Sequence, residues 1–198
     1  MKKFLLLIRK ENSEVSNDYY MSAIKDFGGE VVLAYDSDTL EVLMNKLKMV
    51  EGILLPGGDV VGVWDFFLIG YALEHKLKLL GICQGMQSMA LYGSNNSLVD
   101  IGNRNHKQDE CYIHKVMLEE DCLLGRILGE KEVMVNSHHL QTVTESKMFR
   151  VVGVSPDLLI EAIENKNAVF QVGVQWHPER MFSYDEGAKK IIEAFINY

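Results

Sequence analysis

Residues 78–93 read KLLGICQGMQSMALYG, and the parsing of this stretch decides the fold. Lys78 to Ile82 is a short, mostly apolar run suited to a buried strand. Beyond Gln84 the apolar residues return at helical spacing through Met86, Met89 and Ala90. Cys83 lies at the junction, inside Gly81-Ile82-Cys83-Gln84-Gly85. Glycines on both sides of a nucleophilic residue permit a sharp strand-to-helix turn that holds the side chain out in a strained conformation. The N-terminus of the following helix favours a thiolate. A small buried cysteine is an equally ordinary core residue, so Cys83 is a candidate nucleophile that still needs a base.

The same alternation extends in both directions. FLLLI (4–8), VVLAY (31–35) and GILL (52–55) read as buried strands. Helical patterns separate them: one in 17–30, N-capped by Asn17 or Asp18 with Tyr20, Ile24 and Phe27 on one face, and one in 38–50. Residues 64–76 and 84–92 are further helices. Strand–helix alternation of this kind predicts an α/β fold with a parallel sheet covered on both faces. After residue 95 shorter strands take over, in SLVDI, HKVML, EVMVN, FRVVGV, LLIEAIE and FQVGVQW, with VSPDLL as a hairpin connection. An amphipathic helix over 184–197 closes the chain, and residues 1–198 read as a single domain without linker or repeat.

A net charge of -8 with scattered basic residues argues against nucleic acid as a partner. No apolar run reaches membrane-spanning length, and the stretch after Met1 is too short and too quickly followed by charge to read as a signal peptide. Three cysteines without a CxxC pair make no disulfide framework, which predicts a reducing, cytoplasmic setting.

GVQWHPER (173–180) supplies the base. His177 follows an apolar strand, and in an extended segment Glu179 would point to the same side. A carboxylate on one ring nitrogen fixes the tautomer and leaves the other nitrogen for a thiol. Pro56-Gly57-Gly58 ends the third strand and can present backbone N–H groups to a developing oxyanion, together with the N–H of Gln84.

In this order LPGGD, GICQGMQ, HKVML, VNSHHLQTV, SPDLLIEAIE and GVQWHPE resemble the class I glutamine amidotransferase superfamily. The likeness is closer to its γ-glutamyl-γ-aminobutyrate hydrolase-like (peptidase C26) family. The resemblance implies a flavodoxin-like, mostly parallel sheet flanked by helices, with additional antiparallel strands in the C-terminal half. It implies Cys83 as nucleophile, His177 as base and Glu179 as the residue orienting it. Gly58 and Gln84 would provide the oxyanion hole, and Gly57, Gln87, Ser137, His139 and Gln141 would bind substrate. Asn136 and His114 match less closely, and Glu161 would lie near the site. Neither cofactor nor metal is implied. Two departures stand out: Gly62-Val63-Trp64-Asp65 lacks the arginine of the Arg-Asp pair usual there, and Leu158 replaces the usual hairpin glycine.

The function implied is hydrolysis of a γ-glutamyl amide through a thioester on Cys83, with a small-molecule substrate and no nucleic-acid or membrane partner. A second reading keeps the chemistry in a glutaminase subunit that hands ammonia to a separate synthase. A third makes His106, Cys111, His114, His138 and His139 a metal or sensor site, without compact ligand spacing to support it. The leaving amine, and whether the chain forms a homo-oligomer, are not written in these motifs.

Overall fold

Strand β1 (Lys3–Ile8) shows how the sheet is sided. Phe4 and Leu6 enter one apolar cluster, Leu5 and Leu7 the other, as alternation in a strand covered on both faces requires. The computed structural model describes residues 1–102, 106–108 and 110–198. β2 (Glu30–Tyr35) and β3 (Gly52–Leu55) flank β1 in parallel, and β4 (Lys78–Ile82) follows β3. The next neighbour, β11 (Gln171–Val174), arrives from far along the chain and is also parallel. Beyond it β10 (Ile160–Glu164), β9 (Arg150–Val154), β6 (His114–Leu118) and β7 (Glu132–Val135) continue the sheet in antiparallel fashion. The nine strands run in the order β2-β1-β3-β4-β11-β10-β9-β6-β7. β5 (Val99–Asp100) and β8 (Gln141–Thr142) form a separate two-stranded ladder. The expected α/β architecture, with antiparallel strands added in the C-terminal half, is the observed one.

Helices cover both faces. α1 (Glu14–Lys25), α5 (Leu123–Leu128) and α6 (Glu186–Asn197) bring Tyr20, Ile24, Leu124, Ile192 and Phe195 to the Phe4 side. α2 (Leu40–Leu47), α3 (Val63–His75) and α4 (Gln84–Leu91) bring Leu43, Leu68, Ile69, Met86 and Met89 to the other. The two methionines of the elbow helix are core filler, as their spacing suggested. Among the described residues no helix is long and apolar enough to cross a membrane.

Three local readings are corrected. α1 begins before the expected caps: the Ser13 hydroxyl accepts from the Ser16 N–H, which leaves Asn17 and Asp18 inside the helix. α5 lies in a region where the sequence predicts only short strands; its short apolar run is capped by Cys122 and stopped by Gly129 in the left-handed region. Pro178–Arg180 is a 3₁₀ turn rather than extended chain. The β9–β10 hairpin does form, with Leu158 at φ 64 carrying the conformation a glycine would carry more cheaply.

Register then places the site. Leu55 pairs with Gly81, and Ile82 with Val174. The Pro56–Gly58 turn, Cys83 and the Gln175–His177 segment therefore leave the sheet side by side, at the carboxyl ends of its parallel strands, where ligands bind in such sheets.

Candidate active site

Cys83 has φ 52 and ψ -107, outside the regions open to most side chains. The flanking glycines make this turn sterically feasible. A Cβ at Gly81 would stand 2.5 Å from Met89 Sδ, and one at Gly85 only 2.2 Å from the Leu55 carbonyl oxygen. The Cys83 N–H donates to Val174 O at 2.8 Å, which fixes the elbow to β11. Gln84 opens α4, so its N–H faces outward without an acceptor in the preceding helical turn.

His177 and Glu179 meet despite the misread backbone between them. Glu179 Oε1 accepts from His177 Nδ1 at 2.7 Å, with both side chains buried. The 3₁₀ turn, rather than an extended i, i+2 relation, folds the carboxylate back onto the ring. Asn136 grips the histidine main chain twice: its Nδ2 donates to His177 O at 3.0 Å and its Oδ1 accepts from His177 N at 2.7 Å. His177 Nε2 is buried without a hydrogen-bond partner and shares a cavity with Cys83.

Burial alone would pull the imidazolium pKa down, but the Glu179 carboxylate and then the Cys83 sulfur outweigh it and hold it up to about 9. Because this value is raised above the ordinary 6.5, the ion pair contributes its stability fully below about pH 6.5 and loses it as pH rises through about 9. The difference in unfolding free energy between the parent protein and Glu179→Gln should thus be widest near pH 6 and narrow towards pH 9 and above. Urea unfolding across that range checks this, and a gap that does not vary with pH contradicts it.

Cys83 sits where two cavities meet. One, of about 320 Å³, is lined by Gly58, Gln87, Asp100, Lys107, His139 and Gln141 among others. The other, of about 120 Å³, holds Tyr20, Gly57, Gly58, His177 and Arg180. The Gly57 N–H donates to the Tyr20 hydroxyl at 2.9 Å, whereas Gly58 lines both cavities beside the sulfur. Gln87 Nε2 donates to Gln141 O at 2.9 Å and to Gln175 Oε1 at 3.1 Å. Ser137 and His139 are differently placed. The Ser137 hydroxyl donates to His106 O at 2.7 Å, and His139 borders the larger cavity with both ring nitrogens directed at other protein atoms.

Some residues at the site escaped the sequence reading. Gln175 Nε2 donates to Cys83 Sγ at 3.5 Å, and the sequence signal was its place two residues before His177 on the same strand edge. The missing arginine before Asp65 is supplied from elsewhere. Arg9, just past β1, makes a bidentate pair with the fully buried Asp65 at 2.6 and 3.1 Å. Arg9 also donates to Pro56 O through Nε and NH2 at 3.3 Å. Asp65 Oδ1 lies 3.1 Å from Ser88 Oγ, which accepts from Gln84 Nε2 at 2.8 Å. One buried network thus joins the glycine turn, the start of α3 and the elbow helix.

A helix-covered α/β sheet with a strained cysteine facing a histidine–glutamate pair defines a class, the glutamine amidotransferase-like hydrolases of C–N amide bonds. The chain belongs to the Peptidase C26 family, whose model matches residues 62–179. It is 28% identical to the gamma-glutamyl-gamma-aminobutyrate hydrolase PuuD of Escherichia coli (strain K12), over 93% of this chain and 86% of that protein. Among solved structures, PurLQS from Thermotoga maritima superposes with a TM-score of 0.72 at 20% identity, covering 100% of this chain and 98% of that one. The glutaminase domain of Trypanosoma brucei CTPS with bound acivicin gives 0.74 at 13% identity, over 99% and 91%. At such identities these two likenesses speak for the fold alone.

Proposed function

We propose that the chain hydrolyses a γ-glutamyl amide through a γ-glutamyl thioester on Cys83. The Cys83 thiolate attacks the side-chain carbonyl, and the Gly58 and Gln84 amides receive the oxyanion. The C–S bond forms, the C–N bond breaks, and the departing nitrogen keeps the electron pair and takes a proton from His177. Water then gives a proton to His177 and attacks the thioester; glutamate leaves and the thiolate is restored. Glu179 holds the imidazole throughout.

The observation that carries this reading is the position of Cys83 between two cavities of different character. The smaller holds His177 and would receive the amine. The larger presents Gln87 together with Asp100 and Lys107, charges of both signs suited to the ammonium and carboxylate of a glutamyl head group. The name of the E. coli relative points the same way. The test is a panel of γ-glutamyl amides, including γ-glutamyl-γ-aminobutyrate and glutamine, scored by glutamate release, with acid-quenched protein digested for an adduct on the Cys83 peptide. Release with the adduct on that peptide is expected. Turnover unaffected by alkylating Cys83 would remove the thioester, and glutamine turnover appearing only with an added synthase would favour the subunit reading.

A further inference from the structure

We infer that His106, His114, His139 and Glu161 form a four-ligand site for a divalent metal ion of the zinc type, separate from the Cys83 centre. They come from four places in the chain: the approach to β6, its first residue, the β7–β8 connection, and the second residue of β10. One ligand atom from each lies within 4.8 Å of all the others. Of the five residues that the sequence suggested for a metal site, Cys111 is exposed and His138 lies edge-on to His177, and neither joins the cluster. Glu161 takes their place.

The geometry fits a metal better than a set of hydrogen bonds. Glu161 Oε1 stands 3.6 Å from His106 Nδ1, from His114 Nε2 and from His139 Nε2. That is beyond a good hydrogen bond. It matches the edge of a tetrahedron whose metal–ligand bonds are about 2.0–2.2 Å, which comes to about 3.3–3.6 Å. The His106 Nδ1 to His139 Nε2 separation of 3.2 Å, also short enough for a hydrogen bond, is close to that edge, and the set as a whole spreads to within 4.8 Å, so it draws in when an ion binds.

Proton placement strengthens the case. His139 Nδ1 lies 2.9 Å from Gln141 O, and His114 Nδ1 lies 3.1 Å from Lys115 O. Carbonyl oxygens only accept, so these Nδ1 atoms carry protons and each Nε2 can turn a lone pair inward. The outer nitrogen of His106 faces the Asp157 carboxylate at 3.3 Å, which turns its Nδ1 inward in the same way. Three lone pairs thus converge on a carboxylate that is fully buried and has neither oxygen hydrogen-bonded. Such an arrangement is costly until a cation enters it. The outer acceptors are also the second shell that metal-bound histidines use to fix their tautomers.

Three imidazoles and a carboxylate complete a tetrahedral site, so the ion is structural rather than catalytic. Its consequence reaches the larger cavity. Gln141 O receives both His139 Nδ1 and Gln87 Nε2, so the ion would tie the cavity wall to the sheet.

The test uses untagged protein purified without added metal or chelator. Elemental analysis should find about one zinc per chain, and protein regrown on cobalt should show the visible bands of a tetrahedral site. Glu161→Gln and His114→Ala should lower the metal to under about a tenth of an equivalent, while Cys83→Ala and His177→Ala keep it. Should the first two variants fail to fold, chelator-stripped parent protein decides: one tight equivalent of zinc, with a rise in Tm, supports the site. Parent protein that holds no metal and takes up none overturns it. So does metal that disappears with Cys83 and persists without Glu161.

Discussion

Cys83→Ala leaves a folded protein whose glutamate release falls by on the order of 10⁴-fold or more, because no neighbouring group can replace the attacking atom. A structural cysteine would behave differently, and Cys83→Gly separates the two roles. At φ 52 the cysteine backbone carries strain of about 1–3 kcal/mol that glycine does not share. Removing a small buried side chain costs on the order of 1 kcal/mol, so the terms roughly cancel. The glycine variant should be inactive yet unfold in urea within about 1 kcal/mol of the parent, or later. Turnover that survives in either variant takes the thiol out of the reaction. A loss of several kcal/mol in the glycine variant would mark Cys83 as a packing residue.

That contrast also explains why the elbow was readable from sequence. Its determinants are local: a strand run, two glycines needed for close approach and a helix follow one another between Lys78 and Leu91. His177 and Glu179 are equally local, and the pair was found although the backbone between them was taken as extended. Pro178, with its fixed φ, opens the 3₁₀ turn that joins them. What escaped depends on sequence-distant contacts. Nothing about Arg9, in a polar stretch after β1, announces that it will meet Asp65. Of the histidine–glutamate cluster the sequence offered three histidines, but not Glu161, which joins them only through the antiparallel half of the sheet. α5 was lost for another reason, since six helical residues give too short a periodic signal to stand out from a loop.

Arg9 is also where the second large effect is expected. Arg9→Ala strands the Asp65 carboxylate, 0% exposed, without its cation, and removing one partner of a buried pair costs about 3–5 kcal/mol. For a chain of 198 residues that lowers Tm by on the order of 10 °C. The Pro56 carbonyl loses its guanidinium at the same time, so the glycine turn beside Cys83 is freed and turnover falls by about 10- to 100-fold. Stability and positioning can be separated by removing both charges. In Arg9→Met with Asp65→Leu no buried ion is left unpaired, and most of the stability should return, since paired apolar replacements are often neutral. The rate defect should persist, because methionine cannot hold the Pro56 carbonyl. Thermal melts and glutamate-release kinetics on the single and double variants decide the matter. If the single variant loses less than about 1 kcal/mol, the pair is no keystone of the fold. If the double variant regains full turnover, the grip on Pro56 does not position the turn, and only the charge balance around Asp65 matters.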